Sequence, residues 1–256
     1  MQIFGIDLWR IILIVVLIFL VVKRANIVAI FAKTKYSQKQ YPQAMKIFKI
    51  ADSIGNLSVN NKMLLGYVCL RCGELDEARK HLNLCKSLMR KDSADRNQIK
   101  NLLALVSWKE GNLADAIEEM EEIVDSGYKN TQIYQNLGIL YNLSGDMDKA
   151  LNFNQEAYEY NQDDLIICDN LADTYAIRGE YETAAKHYEE MMAREPKPHF
   201  PEAYYGYGKV LLALGKKEEG LAMIRDSLDK PFSYLSIRTK EEIEELYRAN
   251  GGVLEA

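Results

Sequence analysis

The sequence predicts an all-α protein. We expect an α-solenoid of about six helical hairpins with a C-terminal capping helix, preceded by one transmembrane helix. Three observations predict it. Small residues recur at Ala32, Gly66, Ala104, Gly138, Ala172 and Gly208, at spacings of 34, 38, 34, 34 and 36 residues. A second small residue follows each at a fixed distance, at Ala44, Ala78, Ala116, Ala150, Ala184 and Gly220, with a helix break between the two. Near the start, Ile11 to Val22 reads IILIVVLIFLVV, without one polar side-chain atom.

The apolar run comes first. Twelve residues span about 18 Å of a hydrocarbon layer roughly 30 Å thick. Extended back to Ile3, the stretch takes in Asp7 and Arg10 near one end, where Arg10 can snorkel and Trp9 can anchor. A cleaved signal peptide wants its positive charge before the run and small residues after it. Here Lys23-Arg24 follow the run, and no A-x-A site appears. A buried core helix wants an amphipathic pattern, whereas this run is apolar all round. A membrane anchor fits best, and the positive-inside bias then puts everything after Lys23 in the cytoplasm.

Charge agrees with this division. The net charge is −5, but residues 1–51 carry +7 and the remainder −12. Lys33, Lys35, Lys39, Lys46 and Lys49 either face anionic headgroups, at up to ~1 kcal/mol each, or form an ordinary solvated face. The acidic bulk argues against a nucleic-acid partner.

The hairpins follow. The breaks fall at Gly73, Gly111, Gly145, Gly179 and Gly215, with Lys39 at the same place in the first repeat. Glycine there adopts the left-handed conformation that ends a helix, and an acid such as Asp146 or Glu180 favours the amino end of the next. The small residues let two antiparallel helices approach. The large ones before them, Phe31, Leu65, Leu103, Leu137, Leu171 and Tyr207, fill the groove between them. Stacking of units then buries one continuous core. Insertions sit around Lys91–Asn97 and at Lys197–Pro201. After the last hairpin, Thr239-Lys240-Glu241-Glu242 is a capping-box sequence. It opens a helix with Ile243, Leu246 and Tyr247 on one side. The expected boundaries are 1–24 for the anchor and basic collar, 25–234 for the repeats, and 235–256 for the cap and tail. No linker separates anchor from repeats, so the first repeat helix is expected to continue the membrane helix.

This pattern resembles the tetratricopeptide repeat family. The best copy is Tyr134, Leu137, Gly138, Tyr141, Gly145, Ala150 and Ala157, followed by Leu171, Ala172, Tyr175, Gly179, Tyr181, Ala184, Tyr188 and Pro196. The resemblance implies a protein or peptide partner held in the concave face lined by the first helix of each hairpin. The matching positions are Met63, Tyr67 and Arg71, then Asn101, Leu105 and Trp108. Gln135, Ile139 and Asn142 follow, then Asp169 and Asp173, and last Tyr205 and Lys209. Trp108 lies off the core columns and has the makings of a hot spot. Asp169 and Asp173, four apart on one face, repel each other by a few tenths of a kcal/mol, which a basic partner would relieve. Some chaperone cofactors of this family clamp a carboxylate with a Lys/Asn/Arg set. The matching places here hold Lys33, Tyr67, Leu105, Ile139, Asp173 and Lys209, so that specificity is rejected.

No catalytic, cofactor or metal site is expected. Phosphate loops, GxGxxG and GxSxG are missing from the sequence. Cys69-x-x-Cys72 lacks the further ligands of a zinc site and ends a helix, where the dipole disfavours a thiolate. Cys69 and Cys85 read as core filler. The implied role is a membrane-anchored adaptor, the alternative an exported or outward-facing binding protein of the same fold.

Overall fold

The computed structural model describes residues 2–3, 6–90 and 93–254. A two-residue antiparallel pair, β1 (Gln2–Ile3) and β2 (Ile6–Asp7), precedes the helices. The chain forms two compact units, Met1–Leu102 and Leu103–Ala256.

In the first unit, α1 (Leu8–Ser37) is one continuous helix of 30 residues. The expected run-through from apolar segment into first repeat helix is therefore present. Its two halves differ in environment. Ile12 to Val22 are each 45–59% exposed, and Trp9 is 60% exposed. From Ala25 onward the helix packs on α2 (Tyr41–Ile54), with Ala25, Ala29 and Ala32 fully buried. Among the described residues, Ile12–Ser37 is the segment long and apolar enough to cross a membrane. The first hairpin turn lacks glycine, and Lys39 itself takes a positive φ of 58°, as the repeat frame requires.

Asn26 ties α1 to the second repeat. Its Oδ1 accepts from the Ser58 amide at 3.0 Å and from Asn61 Nδ2 at 2.9 Å, and its Nδ2 donates to the Asn56 carbonyl at 3.1 Å. Arg24 donates to the Ile54 carbonyl at 3.0 Å. The second hairpin is α3 (Val59–Arg71) and α4 (Leu75–Leu88). Leu65, Leu70 and Leu82 in it are fully buried, which stabilises by about 1.5–3 kcal/mol per side chain. One expectation fails here. Phe31, cast as groove filler, is 64% exposed, whereas its counterparts Leu65, Leu103, Leu137 and Leu171 are buried. A filler needs a preceding hairpin to fill against, and among the described residues no hairpin packs ahead of α1 and α2.

Helix α5 (Ala94–Lys109) has 16 residues, against 13 or 14 in α3, α7 and α9. Of the insertion expected around Lys91–Asn97, Lys91 and Asp92 lie outside the described residues, and the rest mostly lengthens α5.

The second unit continues with α6 (Leu113–Asp125), α7 (Thr131–Ser144), α8 (Met147–Tyr160), α9 (Leu165–Ile177), α10 (Tyr181–Met192), α11 (Pro201–Ala213), α12 (Lys217–Leu228) and α13 (Lys240–Ala249). Helix α7 packs on α8, α9 on α10, and α11 on α12, and successive pairs stack. The break glycines all take the left-handed φ of 77° to 93°. The small columns work by close approach. A methyl on Gly208 would lie 2.8 Å from the Gly220 carbonyl oxygen, so two glycines set the α11–α12 contact. Asp146 caps α8, accepting from the Lys149 amide at 3.1 Å. Glu180 makes no such cap and pairs instead with Arg178 at 2.7 Å.

Two features close the unit. Thr239 and Glu242 form the expected capping box at α13, whose Ile243 and Tyr247 are buried against α12. Between α12 and α13, residues 229–239 form no helix and run back over the unit.

Candidate functional site: the first-helix face

In the first unit, Tyr67 and Arg71 are already engaged with each other. The Arg71 guanidinium donates to the Tyr67 hydroxyl at 3.2 Å and lies 4.4 Å over the Tyr41 ring. Tyr36 meets both tyrosines edge-on, at 5.8 and 6.2 Å. Met63 on the same helix is partly buried, and Asn101 is 97% buried.

In the second unit, Leu105 is buried and Trp108 partly buried. Lys109 explains the tryptophan's surroundings. Its ammonium sits 4.0 Å over the Trp108 ring and 5.7 Å from the Tyr234 ring centre. It also donates to the Ser236 carbonyl at 2.9 Å. Burial pulls the Lys109 pKa down, against the opposing pull of Glu202 and Glu242. The segment after α12 is thus held at the end of α5. It is held a second time at α11, where the Ile237 amide donates to Glu202 Oε1 at 3.0 Å.

Gln135 and Asn142 serve the joint between hairpins. Gln135 donates to Asp164 Oδ2 at 2.8 Å, and Asp164 caps α9 through the Ile166 and Ile167 amides. Asn142 donates to the Asn170 carbonyl at 2.9 Å. Fully buried Asn154 donates to Asn142 Oδ1 at 3.1 Å and to Thr174 Oγ1 at 2.9 Å. Gly138 must be glycine here, because a methyl would overlap Asn154 and crowd Asn170 at 2.7 Å.

Beneath the returning segment lies a cavity of about 250 Å³. Six of the expected residues meet around it: Ile139 and Asn142 from α7, Asp169 and Asp173 from α9, and Tyr205 and Lys209 from α11. Leu143 and Ile177 add apolar wall, and Ile237 and Arg238 come from the returning segment. Met63, Tyr67, Arg71, Asn101, Leu105, Trp108 and Gln135 do not line it. The sequence reading missed Glu202 and Tyr188, which do. Glu202 was legible as the groove position one turn before Tyr205. Tyr188 was legible only as a core column residue.

Asp169 is buried and Asp173 partly buried. Asp169 is 6% exposed, and its Oδ1 receives no hydrogen bond. Its carboxyl is held well above the ordinary range, first by burial and then by the charges of Asp173 and Glu202. Burial raises Asp173 too, but Lys209 and Arg238 oppose the rise. Tyr188 is fully buried with an unpartnered hydroxyl, pushed up by burial and by both aspartates.

The cysteines behave as core residues. Burial drives Cys69 up to about 12 and Cys85 and Cys168 up to about 11. Among the described residues, no group of three or more His, Cys, Asp or Glu is arranged to hold a metal ion.

The family model for the tetratricopeptide repeat matches residues 101–164 and 170–231. No curated protein matches the sequence. Among solved structures, the fold is similar to a tetratricopeptide repeat protein from Parabacteroides merdae, with a TM-score of 0.71 and 16% identity over 89% of this chain and 84% of that one. It is also similar to a thermophilic repeat protein from Thermus thermophilus, with a TM-score of 0.61 and 19% identity over 75% of this chain and 98% of that one. PilW, a widely conserved type IV pilus biogenesis factor, matches with a TM-score of 0.62 and 14% identity over 80% of this chain and 92% of that one. At such identities these likenesses speak for the fold alone. The family model's match, together with the recurring columns, the left-handed glycine breaks and the stacked helix pairs, identifies residues 101–164 and 170–231 as tetratricopeptide repeats.

Proposed function

We propose that the protein is a membrane-anchored adaptor that holds a peptide or helical segment of a partner protein on its first-helix face, without catalysis of its own. The observation that carries this reading is the convergence of Ile139, Asn142, Asp169, Asp173, Tyr205 and Lys209 around one cavity. These side chains come from the first helices of three successive hairpins. A mixed apolar, aromatic and charged lining suits a segment with apolar anchors and a few polar contacts. The remaining expected positions would extend the contact surface.

The anchor in this reading is residues 1–24, the repeats 25–234, and the cap and tail 235–256. Support for the anchor is the all-round exposure of Ile12 to Val22 on a helix that becomes buried only from Ala25. The Lys23-Arg24 pair sets the repeats on the cytoplasmic side.

Two measurements test it. Reporters fused after Ala256 should be active only when cytoplasmic folding is required, and activity of an export-dependent reporter alone would favour the outward-facing alternative. A photo-cross-linker placed at Tyr205 in intact cells should capture one defined protein, lost on Ile139→Asp. Capture that is indifferent to that substitution counts against the groove.

A further inference from the structure

We propose that the cavity between α7, α9 and α11 takes a lysine side chain of the partner, with its ammonium seated on Asp169 and Asp173 and the Tyr188 hydroxyl as third acceptor. This rests on the groove reading above and names the partner chemistry that the groove selects.

The argument begins with charge. Asp169, Asp173 and Glu202 all line the cavity. Glu202 is occupied by the Ile237 amide. Asp173 feels two cations, Lys209 and Arg238. Asp169 feels none: apart from burial, what acts on it are the two other carboxylates. A carboxylate 94% removed from solvent, with like charges for neighbours and an oxygen that receives no hydrogen bond, is costly. An incoming cation removes that cost.

The hydroxyl of Tyr188 is an independent observation. Tyr188 occupies a core column of its repeat, where Phe48, Leu82, Met120, Asn154 and Ile224 stand in sister hairpins, and Asn154, unlike Tyr188, is hydrogen-bonded. An apolar residue would fill that column without a polar atom to satisfy. Here the hydroxyl reaches the cavity because residue 206 is glycine, and any methyl there would overlap it. Native proteins rarely leave two adjoining buried polar groups unpaired.

Shape then selects the cation. The described residues hold no cluster built for a metal ion. Ile139, Leu143 and Ile177 give the cavity an apolar wall that suits an aliphatic stem. A lysine ammonium carries three donors on a compact centre, matching two carboxylates and one hydroxyl. A guanidinium is a flat fork that favours a paired, coplanar acceptor set.

The test is calorimetric titration of the full chain in detergent micelles. Three probes are compared: the capped heptapeptide Gly-Leu-Ala-Lys-Ala-Leu-Gly, the same peptide with norleucine in place of lysine, and n-butylammonium chloride. We expect the lysine peptide to bind roughly tenfold more tightly than the norleucine peptide, as a charge-assisted contact in a desolvated site requires. Asp169→Asn and Tyr188→Phe should each shrink that preference. Equal affinity of the two peptides for the unaltered protein overturns the cation site and leaves the groove standing. A preference that survives both substitutions also overturns it. Butylammonium binding as tightly as the peptide overturns the assignment to a protein partner. If neither peptide binds, the groove reading falls with it. The comparison of peptides on the unaltered protein decides the matter even if a variant folds poorly.

Discussion

Lys109 Nζ donates to the Ser236 carbonyl at 2.9 Å, joining positions 127 residues apart. The contact closes the second unit from the end of α5 to the segment that follows α12. With the Glu202–Ile237 bond, it makes residues 229–239 a strap over the cavity rather than a free tail. The strap supplies Ile237 and Arg238 to the cavity wall. Trp108, expected as an open hot spot, therefore meets a cation already committed within the chain.

Lys109→Ala should loosen the strap without unfolding the unit. Its other tether at Glu202 and the capping box of α13 remain. Amide hydrogen exchange across residues 232–238 should speed up, while α9 and α11 keep their protection. Unchanged exchange in the strap would mean that Lys109 contributes nothing to holding it.

Gly206→Ala should destabilise. The added methyl overlaps the hydroxyl of a fully buried tyrosine, and overpacking of this kind costs about 1–3 kcal/mol. Combining it with Tyr188→Phe should recover part of the loss, because the overlapping oxygen is removed. Thermal unfolding of the single and double variants measures both. A double variant no more stable than Gly206→Ala alone would place the strain elsewhere.

Asp169→Asn should stabilise the protein at neutral pH in the absence of a partner. Burial, then Asp173 and Glu202, raise the carboxyl pKa in the folded state. Lys209 and Arg238 act on neighbouring Asp173, and Tyr188 and Tyr205 also face the cavity. The folded chain thus holds this proton more tightly than the unfolded chain, whose carboxyl titrates near about 4. The contribution of Asp169 is fully favourable below that value and is lost as pH rises through the folded pKa. The melting-temperature advantage of the asparagine variant should grow from about pH 4 toward neutrality and vanish in acid. A variant less stable than the parent at pH 7 would show that an internal cation pairs with Asp169 after all.

Much of the architecture was legible in individual columns. Ala32 with Ala44 and Gly208 with Gly220 mark where helices touch, because only small side chains permit that approach. Gly73 to Gly215 mark where helices end, because the left-handed conformation is cheap only for glycine. Thr239 and Glu242 announced the start of the last helix. The site was legible in half. Asp169 and Asp173 sit one turn apart on α9, and Tyr205 and Lys209 one turn apart on α11, so helical spacing assigns each pair one face of its first helix. Phe31 misled because its column has meaning only when another hairpin precedes it. Tyr188 misled because a core column says where a ring lies and nothing about its hydroxyl.

Sequence by itself determined the helices, their breaks, their pairing and the apolar helix at the start. These follow from local backbone preferences and from side-chain size at fixed spacing. Only the tertiary structure decided that residues 229–239 return over the first-helix face, that Asp169 is buried without a cation, and that Tyr188 turns a core position into part of a cavity wall. Those outcomes depend on contacts between residues tens of positions apart, and on which polar atoms are left unpaired once packing is complete. No repeat spacing records either.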